Sequence, residues 1–146
     1  GTETIIDAYC GVGSFTLPLA KHAASVLGIE VQAESIRQAE ENARRNGISN
    51  VRFKVGKVEE LITKISHTPD ILMLDPPRKG CEAAVIESIQ RLRPAKVLYL
   101  SCNPATLARD LQILCAKNQY TLNWVQPADF FPQTAHVEAL ASLSLI

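Results

Sequence analysis

The chain has 146 residues, 47% of them apolar and 21% charged, which suits one domain with a buried core and excludes a disordered tail. Lysine plus arginine number 15 and aspartate plus glutamate also 15, so there is no polybasic field to announce a nucleic acid or a membrane surface. The four cysteines, Cys10, Cys81, Cys102 and Cys115, are too few for a disulfide scaffold and lack the paired C-x-x-C spacing of zinc sites.

No apolar run reaches the roughly 18 residues of a membrane span. The first six residues carry neither the basic start nor the apolar stretch of a signal peptide. A soluble, cytoplasmic protein with free thiols and no metal in this segment is expected.

In chain order, residues 4–9, 25–29, 51–55, 71–74 and 97–100 are short, almost continuously apolar runs, the pattern of strands covered on both faces. Between them, residues 15–23, 33–46, 58–65, 83–92 and 106–117 carry apolar side chains at helical spacing, and Asn46-Gly47 supplies a stop. Alternating strand and helix predicts a doubly wound α/β fold with a mostly parallel sheet. Residues 120–125 and 137–145 then read as a closing antiparallel pair, giving seven strands. With no internal linker, residues 1–146 are expected to be one domain, and a first strand that begins almost at residue 1 suggests a piece of a longer polypeptide.

Ligand chemistry concentrates where strands give way to helices. Asp7-Ala8-Tyr9-Cys10-Gly11-Val12-Gly13-Ser14-Phe15 is a strand end, a glycine-rich turn and a helix start. Gly11 and Gly13 let backbone approach a ligand, while Asp7 either braces the turn or accepts from a polar ligand group. Glu30, closing the second strand, can accept both hydroxyls of a ribose. A nicotinamide dinucleotide and S-adenosylmethionine both fit that pair. Thr16 stands where the third glycine of G-x-G-x-x-G would be, which favours S-adenosylmethionine.

At the fourth strand's end, Asp75-Pro76-Pro77-Arg78-Lys79-Gly80 leaves the sheet rigidly, because two prolines fix φ and remove two donors, and Asp75 is expected to face the pocket. Arg78 and Lys79 read either as phosphate contacts or as plain surface. Ser101-Cys102-Asn103-Pro104 places a thiol between a strand and a helix whose first turn suits Pro104, so free amides and the helix dipole would favour a thiolate at Cys102. A nucleophile needs a proton-transfer partner, and Glu138 is the better candidate base. His136, on the same alternation face, reads as an orienting group, a phosphate contact or a structural histidine. Asp129, Phe130 and Phe131 either rim the pocket or pack the hairpin.

Four ordered segments, Asp7 to Ala20, Asp75 to Gly80, Ser101 to Asp110 and Phe131 to Glu138, make the chain resemble the catalytic domain of S-adenosylmethionine-dependent RNA (uracil-5-)-methyltransferases. The resemblance covers essentially the whole chain. It implies a Rossmann-like class I methyltransferase sheet and methylation of uridine C5 in RNA. It also implies that Tyr9, Glu30 and Asp75 contact S-adenosylmethionine, that Gly11 and Ser14 shape the loop, that Cys102 is the nucleophile and that Glu138 is the base. Ala105 and Ala108-Arg109-Asp110 match the 23S ribosomal RNA type more closely than the tRNA type.

There are departures. Lys57 follows the third strand where the family often has an acidic or amide group, so adenine contacts would shift to backbone or to Glu59. The family's upstream RNA-binding part, cluster cysteines and glutamine-bearing segment are not in this sequence. An RNA cytosine-5 methyltransferase would carry a second cysteine after Pro77, where Arg78 stands. A cofactor-binding module inactive on its own is the reading from another class.

Overall fold

The computed structural model describes residues 1–129, 133 and 137–146. Five strands run parallel: β1 (Thr4–Ala8), β2 (Ser25–Glu30), β3 (Val51–Val55), β4 (Ile71–Leu74) and β5 (Lys96–Ser101). Two more, β6 (Tyr120–Ala128) and β7 (Glu138–Leu145), are antiparallel to their neighbours. The sheet order is β3-β2-β1-β4-β5-β7-β6, so the winding reverses between β1 and β4. That is the doubly wound, seven-stranded sheet the sequence predicts, with β7 slotted between β5 and β6.

The crossovers are α1 (Thr16–Ala20), α2 (Ala33–Arg45), α3 (Val58–Leu61), α4 (Ala83–Leu92) and α5 (Pro104–Cys115). They cover the central strands, so Ile6, Ala8, Ile29, Leu72, Leu74, Val97 and Tyr99 are buried on the sheet, as near-continuous apolar runs require. On α2, Ile36, Ala39 and Ala43 face the sheet while Glu34–Arg37 and Glu41–Arg45 pairs face water. The helix stops as expected, with Gly47 at φ 65° and the Ile48 amide returning to the Ala43 carbonyl at 2.9 Å.

Several boundaries differ from the sequence reading. β1 ends at Ala8, because Tyr9 turns to φ 67° and leaves the sheet. The helix expected over 15–23 shortens to Thr16–Ala20, since the chain must return for Ala24 N to donate to Glu3 O at 2.9 Å and start β2. The helix expected over 58–65 is one α turn followed by a 3-10 turn, Ile62–Lys64. α5 begins two residues earlier than expected, at Pro104, whose missing N–H costs nothing in a first turn. β6 continues through Pro127 to Ala128, which an outermost strand tolerates because no neighbour needs the proline amide. All four cysteines are free, and no helix among the described residues is long and apolar enough to cross a membrane.

Candidate active site

The C-terminal ends of β1, β4 and β5 meet at one edge of the sheet, beside the point where the winding reverses, which is where open α/β sheets hold ligands. The turn after β1 is anchored from below: Cys10 N donates to Ile29 O at 3.0 Å and Gly13 N to Cys10 O at 2.9 Å. Gly11 takes φ 55° and Gly13 φ 86°, so the turn depends on left-handed backbone. Glu30 holds it from the side. One carboxylate oxygen accepts from Gly11 N at 3.1 Å and the other from Gln32 N at 3.0 Å. Each oxygen keeps a lone pair for a further donor.

Asp7 braces the turn rather than lining a pocket. It is 1% exposed, and Oδ2 accepts from Thr16 Oγ1 at 2.5 Å. Its Oδ1 is buried with no donor among the described residues. Burial pushes the Asp7 carboxyl up to about 6; the Thr16 hydroxyl opposes that rise and the charge of Asp75 adds to it.

A crevice of about 450 Å³ opens above this edge, with Tyr9, Glu30, Lys57, Glu59, Asp75 and Lys79 among its walls. Thus Tyr9, Glu30 and Asp75 come together, while Gly11 and the exposed Ser14 lie in the adjoining turn and not in the crevice wall. Lys57 does reach the crevice and pairs with Glu60 at 3.7 Å. Asp75 is half-buried. Burial first, and then the charge of Glu138, push its carboxyl up to about 6.

Cys102 and Glu138 are brought to the same edge by strand register. β5 pairs with β7 as far as Ser101 opposite Ala139, and Cys102 and Glu138 are the next residues outward along the two strands. Cys102 is partly exposed. The amides beside it are less free than the sequence suggests. Asn103 N donates to Ser101 Oγ at 3.0 Å, and Ala105 N donates to Asn103 Oδ1 at 3.0 Å, the N-cap bond of α5. The other cysteines near the site are inert thiols: burial pushes both Cys10 and Cys81 up to about 12. Asp129 is exposed, and His136, Phe130 and Phe131 lie outside the described residues.

Sequence reasoning passed over the support for residues 75–80. The Arg78 carbonyl accepts from Asn103 Nδ2 at 3.2 Å and from Thr106 Oγ1 at 2.9 Å, and the Lys79 carbonyl from Arg109 Nη2 at 2.9 Å. Cys81 N donates to Asp110 Oδ2 at 2.9 Å, and Tyr99 OH to the same oxygen at 2.6 Å. The available signal was the proline pair, which removes two amide donors and so shifts the holding of such a loop toward its carbonyls. Lys79 itself pairs with Glu82 at 2.5 Å on the surface.

A family model for tRNA (uracil-5-)-methyltransferases matches residues 2–145. An uncharacterized RNA methyltransferase of Nostoc sp. is 54% identical over 145 residues, 99% of this chain and 32% of the relative. One from Synechocystis sp. is 51% identical over 146 residues, 100% of this chain and 32% of the relative. The chain therefore spans about a third of the length of the curated relatives it matches. Among solved structures, a Pyrococcus abyssi tRNA (uracil-54, C5)-methyltransferase in complex with S-adenosyl-L-homocysteine is 33% identical with a TM-score of 0.85, covering 98% of this chain and 34% of that one. NSun6 from Pyrococcus horikoshii, 17% identical with a TM-score of 0.79 over 98% of this chain and 48% of its own, shares the fold.

Proposed function

Because the chain belongs to the tRNA (uracil-5-)-methyltransferase family, we propose that it is the catalytic part of an S-adenosylmethionine-dependent enzyme that methylates C5 of a uridine in RNA. The crevice fits that cofactor on three observations. Glu30 keeps an acceptor position on each oxygen after fixing the turn, which suits a ribose diol. Glu30, Glu59, Asp75 and Glu82 outnumber Lys57 and Lys79 along its walls, which suits a ligand bearing a sulfonium and an ammonium. Tyr9 adds an aromatic wall against which a sulfonium can pack. Tyr9, Glu30 and Asp75 would hold the cofactor, with Gly11 and Ser14 shaping the turn and Glu59 as the acidic neighbour on the side where Lys57 departs from the family. When bound, S-adenosylmethionine supplies an electrophilic methyl group.

The remaining chemistry belongs to the chain. C5 of uracil is a weak nucleophile. The Cys102 thiolate adds to C6, the electron pair moves toward the C4 carbonyl, and C5 becomes an enolate carbon. Once C5 carries both a methyl group and its original proton, the Glu138 carboxylate takes that proton. The C5–C6 double bond re-forms as the sulfur leaves C6. A base stacked in a helix cannot reach the thiol, so the uridine must be flipped out or come from a loop.

The observation that supports this reading is the β5–β7 register: its last pair, Ser101 opposite Ala139, leaves Cys102 and Glu138 as the next residues outward, with Glu138 near enough for its charge to act on Asp75 in the crevice wall. Ribosomal RNA is the expected target from Ala105 and Ala108-Arg109-Asp110; the likeness to a tRNA enzyme supports tRNA as the alternative. The test incubates the intact protein with labelled S-adenosylmethionine and 5-fluorouridine-containing ribosomal and transfer RNAs. Expected is a covalent RNA–protein adduct that disappears in Cys102→Ala. Cofactor binding without any adduct, or an adduct that survives Cys102→Ala, overturns the assignment.

A further inference from the structure

Residues 75–80 form a partition with space on both faces. On one side lies the crevice already described; on the other lies a second cavity of about 580 Å³, between α4 and α5, with Cys81, Ile86, Arg109, Asp110 and Ile113 in its wall. Lys79, Gly80 and Glu82 border both. Pro76 and Gly80 are buried but residues 77–79 are exposed, so the position of that exposed stretch depends on hydrogen bonds. Pro76 and Pro77 have no N–H to give, so the segment must be held largely by its carbonyls and by the amides that follow.

α5 supplies nearly all of that. Asp110 is 1% exposed and serves as the centre: Oδ2 accepts from Cys81 N and from Tyr99 OH, while Oδ1 accepts from Arg109 Nε at 2.9 Å. Arg109 Nη2 reaches Asp110 Oδ1 at 2.8 Å and the Lys79 carbonyl at 2.9 Å, so its fork joins the buried acid to the loop. Gly80 lies directly against this pair. Its φ is 79°, and a Cβ there would stand 2.6 Å from Arg109 Nη2 and 2.7 Å from Asp110 Oδ2.

We propose that Arg109 and Asp110 are positioning residues which, acting through the segment 75–80, hold Asp75 at a fixed separation from Cys102. The geometry makes this possible because α5 starts two residues after Cys102 and carries the clamp on its second turn. One rigid element thus references both the cofactor wall and the nucleophile. The inference rests on the uridine-methylation reading for its consequence in turnover, and on geometry alone for its consequence in the loop.

The test uses the intact protein and the variants Asp110→Asn, Arg109→Gln and Arg109→Lys, with Thr106→Val as the second route should Asp110→Asn fail to fold. Two quantities are read: amide hydrogen exchange at Gly80 and Cys81, and the single-turnover methylation rate at saturating S-adenosylmethionine and RNA, per active site titrated with 5-fluorouridine RNA. Expected is at least tenfold faster exchange at those two amides with β1 and β4 unchanged, and a ten- to hundredfold slower turnover per titrated site. Arg109→Lys should recover part of the rate, because an ammonium can reach one of the two acceptors but lacks the fork. Faster exchange throughout the sheet with an unchanged rate per site marks a merely structural role and overturns the proposal, as do wild-type values of both quantities. If the wild-type protein methylates no uridine, the functional reading falls, and the exchange at Gly80 and Cys81 still decides the clamp.

Discussion

Replacing Asp7 with asparagine tests whether a buried charge beneath the glycine turn costs stability. Asp7 sits 1% exposed, and burial raises its carboxyl from 3.8 to about 6 against the opposing Thr16 bond. A shift of that size corresponds to about 3 kcal/mol between the two protonation states. Because the folded value lies above the unfolded one, the contribution is fully present below pH 3.8 and is lost as pH rises through about 6. Over the narrower span from pH 5 to pH 8 the loss is about 1 kcal/mol. Glu34, Glu41, Asp70 and Glu82 shift the other way, their carboxyls being lowered by hydrogen-bonded partners, so their effects fall below that span. The substituted amide would keep an oxygen for Thr16 and carry no charge at any pH. Urea unfolding of both proteins at pH 5 and pH 8, without cofactor, should therefore show the stability difference between Asp7→Asn and wild type changing by about 1 kcal/mol, in favour of the variant at pH 8. Parallel stability profiles for the two proteins would refute the buried-charge reasoning.

Three further outcomes follow from the same edge of the sheet. Asp75 is raised to about 6 and must ionise to hold a cation, so the affinity for S-adenosylmethionine should fall as pH drops below that value, approaching tenfold per unit. Asp75→Asn should bind more weakly and without that slope in a calorimetric titration. Glu138→Gln should accumulate methylated RNA bonded to Cys102, since elimination lacks its base; free product released at the wild-type rate would contradict the role. Gly80→Ala should cost about 2–5 kcal/mol in urea unfolding, combining left-handed strain of about 1–2 kcal/mol with crowding of about 1–3 kcal/mol against Arg109 and Asp110.

Those outcomes depend on features of unequal visibility in the sequence. The apolar runs over 71–74 and 97–100 announced strands buried on both faces, and the alternation with helices announced the winding, because each signal is carried by local periodicity. Pro104 announced a helix start for a reason equally local, although Asn103 rather than the thiol took the capping amide. What escaped was long-range or conformational. Tyr9 adopts φ 67° without being glycine, so nothing in its identity marked the end of β1. Glu30 was read as a ligand group, yet two of its acceptor positions hold backbone amides of Gly11 and Gln32. Asp110 reads from the sequence only as part of the Ser101–Asp110 segment, and the tertiary approach of Cys81 and Tyr99 is what makes it a buried acceptor. Bringing Glu138 to the end of β5 required the insertion of β7 between β5 and β6, which hairpin-like spacing alone would not reveal.

That insertion makes the proposed pairing of Cys102 with Glu138 a matter of register, and the sheet puts its irregularity elsewhere. β6 has nine residues against eight in β7, and the excess is absorbed between Leu122 and Trp124, where Asn123 bulges. Its side chain donates to Ser144 Oγ at 2.8 Å and to Ser142 Oγ at 3.4 Å, stitching the bulge to β7. The β5–β7 ladder, by contrast, is unbroken from Lys96 opposite Ser144 to Ser101 opposite Ala139. Deleting Asn123 would remove the bulge and leave Leu122 and Trp124 facing their present partners, at a cost of about 1 kcal/mol for each lost side-chain bond. Deleting Ala139 would slip Glu138 by one position and turn it to the opposite face of the sheet. Single-turnover methylation should therefore stay within about threefold of wild type in the first deletion and vanish in the second, provided circular dichroism shows both folded. Equal loss in the two would mean that the inner ladder does not set the Cys102–Glu138 pairing independently of the outer strand.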